Sequence, residues 1–157
     1  MKKWKRWLTT CLAAVMVAGS MPVMTFASAN AEITSDKITR GKTGKSVTVS
    51  FQVTNNSGQD VDNLAIAFDV SGAEIWDEDA DDMIYGYAFP FELTGSLNDT
   101  DNPKSAGSLK AGKSKSVSLS ATVRRDLNDG YYKVPVVAMD GENGEWIGHA
   151  DLKIWIT

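Results

Sequence analysis

Apolar and polar residues alternate with a period of two along several stretches of this chain. Val47, Val49, Phe51 and Val53 alternate with Thr48, Ser50, Gln52 and Thr54, and the run closes on the turn-forming residues Asn55-Asn56-Ser57-Gly58. Leu64, Ile66, Phe68 and Val70 repeat the pattern, as do Val117, Leu119, Ala121 and Val123 against Ser116, Ser118, Ser120 and Thr122. That period sends one set of side chains inward and the other into water, as in half-buried antiparallel strands. Tyr131 to Met139 is more continuously apolar, and Asp140-Gly141-Glu142-Asn143-Gly144 turns the chain into Trp146 to Ile156, which predicts a terminal hairpin. An early strand from Ala31 to Thr39 and an aromatic one from Met83 to Leu93 complete the set, and no segment of this part has helical periodicity.

About seven short strands with this patterning predict an all-β, immunoglobulin-like antiparallel sandwich. Asn128-Asp129-Gly130-Tyr131-Tyr132 sharpens the expectation, because a tyrosine follows a glycine at the start of the penultimate strand. Tyr132 is the candidate for a tyrosine corner, its ring buried and its hydroxyl bonded to backbone a few residues upstream.

The first residues depart from this pattern. Lys2, Lys3, Lys5 and Arg6 precede an apolar run from Leu8 to Gly19, and Ala27-Ser28-Ala29 then supplies small residues of the kind a signal peptidase reads. Residues 1–29 are expected to be a cleaved signal peptide and residues 30–157 the secreted domain. The run is shorter than the roughly 20 apolar residues of a bilayer-spanning helix, so no membrane span is expected after cleavage. Lipidation at Cys11 is disfavoured, because that cysteine opens the apolar run instead of ending it.

Cleavage changes the chemistry left available. Cys11 is the single cysteine, so the mature domain has neither disulfide nor thiolate and must rely on its core. Its 12 Lys and Arg stand against 20 Asp and Glu, a net charge of −8, once the four leader cations are removed from the chain's 16. Such a surface lacks the basic patches that nucleic acid and anionic lipid require.

Two blocks give the chain a resemblance. One runs from Thr39 through the glycine turn Gly41-Lys42-Thr43-Gly44 and the alternating strand to Asn55-Asn56-Ser57-Gly58. The other runs from Gly107-Ser108-Leu109-Lys110-Ala111-Gly112-Lys113-Ser114 to Gly130-Tyr131-Tyr132. In these the chain resembles the bacterial adhesion-related immunoglobulin-like domains called CARDB, and the similar sandwiches of surface-layer proteins and of some secreted alpha-galactosidases. The resemblance implies a noncatalytic extracellular module that spaces, assembles or binds, with no catalytic residues to transfer.

Candidate chemistry is sparse. Gly44-Lys45-Ser46 mimics the end of a phosphate-binding loop, but Thr39 stands where that loop needs its first glycine and Ser46 opens a strand, so nucleotide binding is not expected. Asp77, Asp79, Asp81 and Asp82, with Glu78 among them, could offer oxygens to a weakly bound calcium ion, and Asn98-Asp99-Thr100-Asp101-Asn102 could add more; a solvated acidic loop is the alternative. No other cofactor is implied. Tyr85, Tyr87, Phe89 and Phe91 share one strand face, which argues first for core, while Trp76 is a candidate binding aromatic. In the last strand Leu152, Ile154 and Ile156 alternate inward, which puts Trp155 outward beside His149, Asp151 and Lys153. Trp155 and His149 are therefore candidate binding residues on a polar face. With one histidine, no Gly-x-Ser-x-Gly elbow and no paired-histidine metal motif, the sequence does not read as an enzyme. The expected function is a noncatalytic interaction or assembly module at a bacterial cell surface, its partner a protein or polysaccharide of the envelope. A small carbohydrate-binding module is the alternative, and an exported two-carboxylate hydrolase the distant third.

Overall fold

A computed structural model of the chain describes residues 30–71 and 89–157. The leader, Trp76, the acidic cluster Asp77, Asp79, Asp81 and Asp82, and Tyr85 and Tyr87 lie outside the described residues. Among the described residues eight strands form: β1 (Ala31–Thr34), β2 (Thr39–Gly41), β3 (Ser46–Asn55), β4 (Val61–Phe68), β5 (Lys104–Leu109), β6 (Ser114–Thr122), β7 (Gly130–Asp140) and β8 (Trp146–Ile156). They build a sandwich of two sheets, β1-β3-β6 and β2-β8-β7-β4-β5, the immunoglobulin-like arrangement the alternating pattern predicts. Every pairing is antiparallel except that of β2 beside β8.

The core lies between the sheets and is made of the alternating sets. Val49, Phe51 and Val53 of β3 and Leu119 of β6 face Leu64, Ile66 and Phe68 of β4, Val134 and Val136 of β7, and Ile154 and Ile156 of β8, all buried. Phe68, Phe89 and Phe91 pack tilted or edge to face with ring centroids 5.1–5.9 Å apart, the geometry aromatic quadrupoles favour. Tyr132 is buried, and its hydroxyl donates to the Asn128 carbonyl at 2.8 Å, four residues upstream.

Three elements differ from the sequence expectation. The stretch from Ala31 to Thr39 is two strands, because the chain leaves the three-stranded sheet after Thr34 and joins the five-stranded one at Thr39. Of the expected strand from Met83 to Leu93, the described part holds a single bridge, Phe91 to Val123, although Phe89 and Phe91 are core. Strand β5 was not expected at all; its sequence Lys-Ser-Ala-Gly-Ser-Leu is mostly exposed and carries Gly107 at a φ of 74°.

That strand is an edge, and the structure guards it. Lys115 occupies an inward position of β6, and its ammonium donates across the gap to the carbonyls of Ala106 and Ser108 on β5. In return Lys104 of β5 donates to the Ser118 carbonyl of β6 at 2.8 Å. Inward and edge lysines of this kind occupy backbone acceptors that would otherwise pair with another chain. At the adjacent end, buried Asn55 joins the pieces: its amide donates to the Gln59 and Leu109 carbonyls, and its oxygen accepts from the Ser57 amide and hydroxyl.

Candidate binding face

The outward residues of the two sheets are chemically unlike. On the three-stranded sheet Ser46, Thr48, Ser50 and Thr54 of β3 lie opposite Thr122, Ser120, Ser118 and Ser114 of β6. This hydroxyl surface is partly self-bonded, Thr48 to Ser120 at 3.1 Å and Thr54 to Ser114 at 2.7 Å. Among the described residues its strands carry no outward aromatic side chain.

On the five-stranded sheet outward aromatic groups stand on the β7–β8 ribbon with charged ones among them. Register places Tyr131 opposite Trp155, Lys133 opposite Lys153, Pro135 opposite Asp151 and Val137 opposite His149, with Arg40 of β2 beside Trp155. Tyr131 is 56% exposed, and its ring meets that of Trp155 edge to face at 4.6 Å. Trp155 is half-buried, covered on one side by this cross-strand neighbour. Lys133 and Asp151 approach to 3.8 Å in the middle of the ribbon.

At the other end, Trp146 and His149 have parallel rings 6.1 Å apart. Residues three apart on a regular strand point to opposite faces. Here a bulge intervenes: Ala138 lies opposite Gly148 and Met139 opposite Trp146, so Ile147 is the extra residue and turns into the core while Trp146 and His149 share the outer face. Trp146 is 46% exposed, and His149 lies 3.7 Å from Asp69. The apolar middle of the same outer side, Ala65, Ala67, Val137 and Met139, is buried as a small separate cluster.

The candidates from sequence thus divide. Trp155 and His149 stand on one outer face, as their alternation implied, but near opposite ends of it. Tyr131 and Trp146 join them there and had not been singled out as binding residues; the bulge that turns Trp146 outward has no signature in the sequence. In the 98–102 loop Asp99 accepts from the amides of Asp101 at 3.1 Å and Asn102 at 2.9 Å, and the Asn98 carbonyl accepts from the Phe68 amide at 2.8 Å. Among the described residues no group of three or more His, Cys, Asp or Glu side chains could hold a metal ion, and no helix is long and apolar enough to cross a membrane.

No protein-family model matches the sequence, and no curated protein does. Among solved structures the chain is similar to the CARDB domain of a Pyrococcus furiosus protein crystallised in complex with di-metal ions, with 14% identity over 82% of this chain and 86% of that one and a TM-score of 0.44. It is also similar to a Niemann-Pick type C2 protein from the Japanese carpenter ant, with 10% identity over 82% and 93% of the two chains and a TM-score of 0.43. Each is a likeness of shape, and neither speaks of ligand or activity here.

Proposed function

We propose that this protein is exported and acts as a noncatalytic binding module at the cell surface, docking through the outer ribbon of β7 and β8. The observation that carries the reading is the placement of Tyr131, Trp155, Trp146 and His149 on one outer face, with Lys133, Lys153 and Asp151 between them. Aromatic groups interleaved with paired charges suit a protein partner: the rings supply area to desolvate and the charges fix register. The parallel rings of Trp146 and His149 favour a second reading, in which a sugar ring of an envelope polysaccharide stacks on the exposed tryptophan. Export rests on the basic start, the apolar run and Ala27-Ser28-Ala29.

Capture of envelope proteins and of purified polysaccharides by the secreted protein, compared with Tyr131→Ala and Trp146→Ala, tests the function. Retention of one ligand class by the native protein and its loss in either variant supports the proposal. Equal capture by all three proteins refutes it. Amino-terminal sequencing tests export and should begin at Asn30, or at Glu32 if the frame Ala29-Asn30-Ala31 is used.

A further inference from the structure

The edge opposite the guarded one has a window. Strand β1 crosses β8 so closely at Gly148 that a Cβ there would lie 2.5 Å from the Ala31 carbonyl oxygen, and β2 pairs with β8 at residues 154–156. Between these contacts the connector Ser35–Ile38 leaves β8 uncovered. The Ser35 hydroxyl ties the connector to the other sheet, donating to the Ser50 carbonyl at 3.3 Å and to Lys37 within the connector at 3.0 Å. What results is a groove of about 410 Å³ between the connector and Ala150–Lys153.

Two independent hydrogen bonds fix which backbone groups face it. The Thr157 amide donates to Gly41 of β2 at 3.1 Å, so the odd-numbered residues of β8 direct their backbone toward the β2 side. The Pro135 carbonyl accepts from Asp69 on the β4 side at 3.0 Å, and Pro135 lies opposite Asp151, so the backbone of Asp151 points away from β7. The amide and carbonyl of Asp151 and the amide of Lys153 therefore open into the groove, and no connector backbone group among the described residues bonds to them; the Lys153 carbonyl belongs to the β2 ladder, where Thr39 pairs with Ile154. Exposed ladder groups in register call for an extended backbone.

We infer that this window of β8 accepts one extended peptide strand from a partner protein. A second copy does not fit, because its own β8 window lies behind the same connector and two recessed edges cannot meet. The groove spans about four residues at a strand rise of about 3.3 Å. Its walls set the chemistry: Ile33 and Leu152 are apolar, while Asp36, Lys37, Asp151 and Lys153 supply two charges of each sign. The occupant has apolar side chains at every second position and polar or paired charged ones between. Asp151 and Lys153 belong to both surfaces, the proposed function using their outward side chains and the window their backbone edge, so a variant that changes the backbone amide alone separates the two.

The test is to pan a random hexapeptide phage library on the whole secreted protein and titrate the strongest synthetic hexapeptide. Enriched sequences should alternate apolar and polar residues, and the amides of Asp151 and Lys153 should exchange more slowly when the peptide binds. Asp151→Pro removes one window amide without touching the β7 ladder and should weaken binding about tenfold or more, whereas Asp151→Ala keeps the amide and should bind within about threefold of native. Lys153→Pro repeats the test if Asp151→Pro does not fold. Absence of enrichment, indifference to both proline variants, or loss only with Tyr131→Ala would overturn the inference.

Discussion

The outer faces of the two sheets began with the same constraint and ended with different surfaces. Both need polar or amphipathic groups outward, because their inner faces share one core. The three-stranded sheet meets the need with short hydroxyls that bond across strands, Thr48 to Ser120 and Thr54 to Ser114. The five-stranded sheet places Tyr131, Trp146 and Trp155 outward instead, and two of these are among the most exposed large apolar side chains. Solubility alone is served by the first solution. The second leaves ring area in water, which is the pattern of a surface that gains by being covered.

The largest expected effect separates scaffold from surface. Asn55→Ala removes four side-chain hydrogen bonds at a buried junction and should destabilise by about 3 kcal/mol in urea unfolding, since its former partners are left unsatisfied. A loss below about 0.5 kcal/mol would mean that the junction does not hold β3 to the β5–β6 edge. Tyr132→Phe should cost about 1–2 kcal/mol by removing the bond to Asn128, while leaving the outer ribbon and its binding intact. Tyr131→Ala, one residue away but outward, should cost about 1 kcal/mol through the lost contact with Trp155. Equal losses for Tyr131 and Tyr132 would erase the distinction between face and core. On the hydroxyl side, Thr48→Ala with Ser120→Ala should stay within about 0.5 kcal/mol, as exposed substitutions usually do.

The smallest effect is electrostatic. The hydrogen bond from Lys110 holds the Asp60 carboxyl below its ordinary value, and that from Arg124 does the same for Asp126. A lowered folded value stabilises above the ordinary carboxylate range and is lost as pH falls through the folded value. Asp60→Asn should therefore narrow the difference in melting temperature between neutral pH and pH near 3 by a small amount. A larger acid sensitivity in the variant would contradict the pairing.

How much of this the sequence disclosed follows from where periodicity is strong. Strands β3, β6 and β8 were legible because Val49, Leu119 and Ile154 each sit in an unbroken alternation. Strand β5 was not, because an edge strand guarded by lysines has little apolar signal and Gly107 interrupts it at a positive φ. The change of sheet between Thr34 and Thr39 was hidden for a related reason: β1 and β2 are each too short to show a phase of their own. On the candidate site, Trp155 and His149 followed from alternation, whereas Trp146 depended on the extra residue Ile147, a tertiary feature that single-strand pattern does not carry.

The most direct measurement titrates one captured envelope ligand against two double variants, Tyr131→Ala with Trp146→Ala on the five-stranded sheet and Thr48→Ala with Ser120→Ala on the three-stranded one, each checked for an intact melting transition. Binding through the aromatic ribbon requires that the aromatic pair weaken affinity about tenfold or more while the hydroxyl pair leaves it within about twofold of native. Retained affinity in the aromatic variant together with loss in the hydroxyl variant would contradict it.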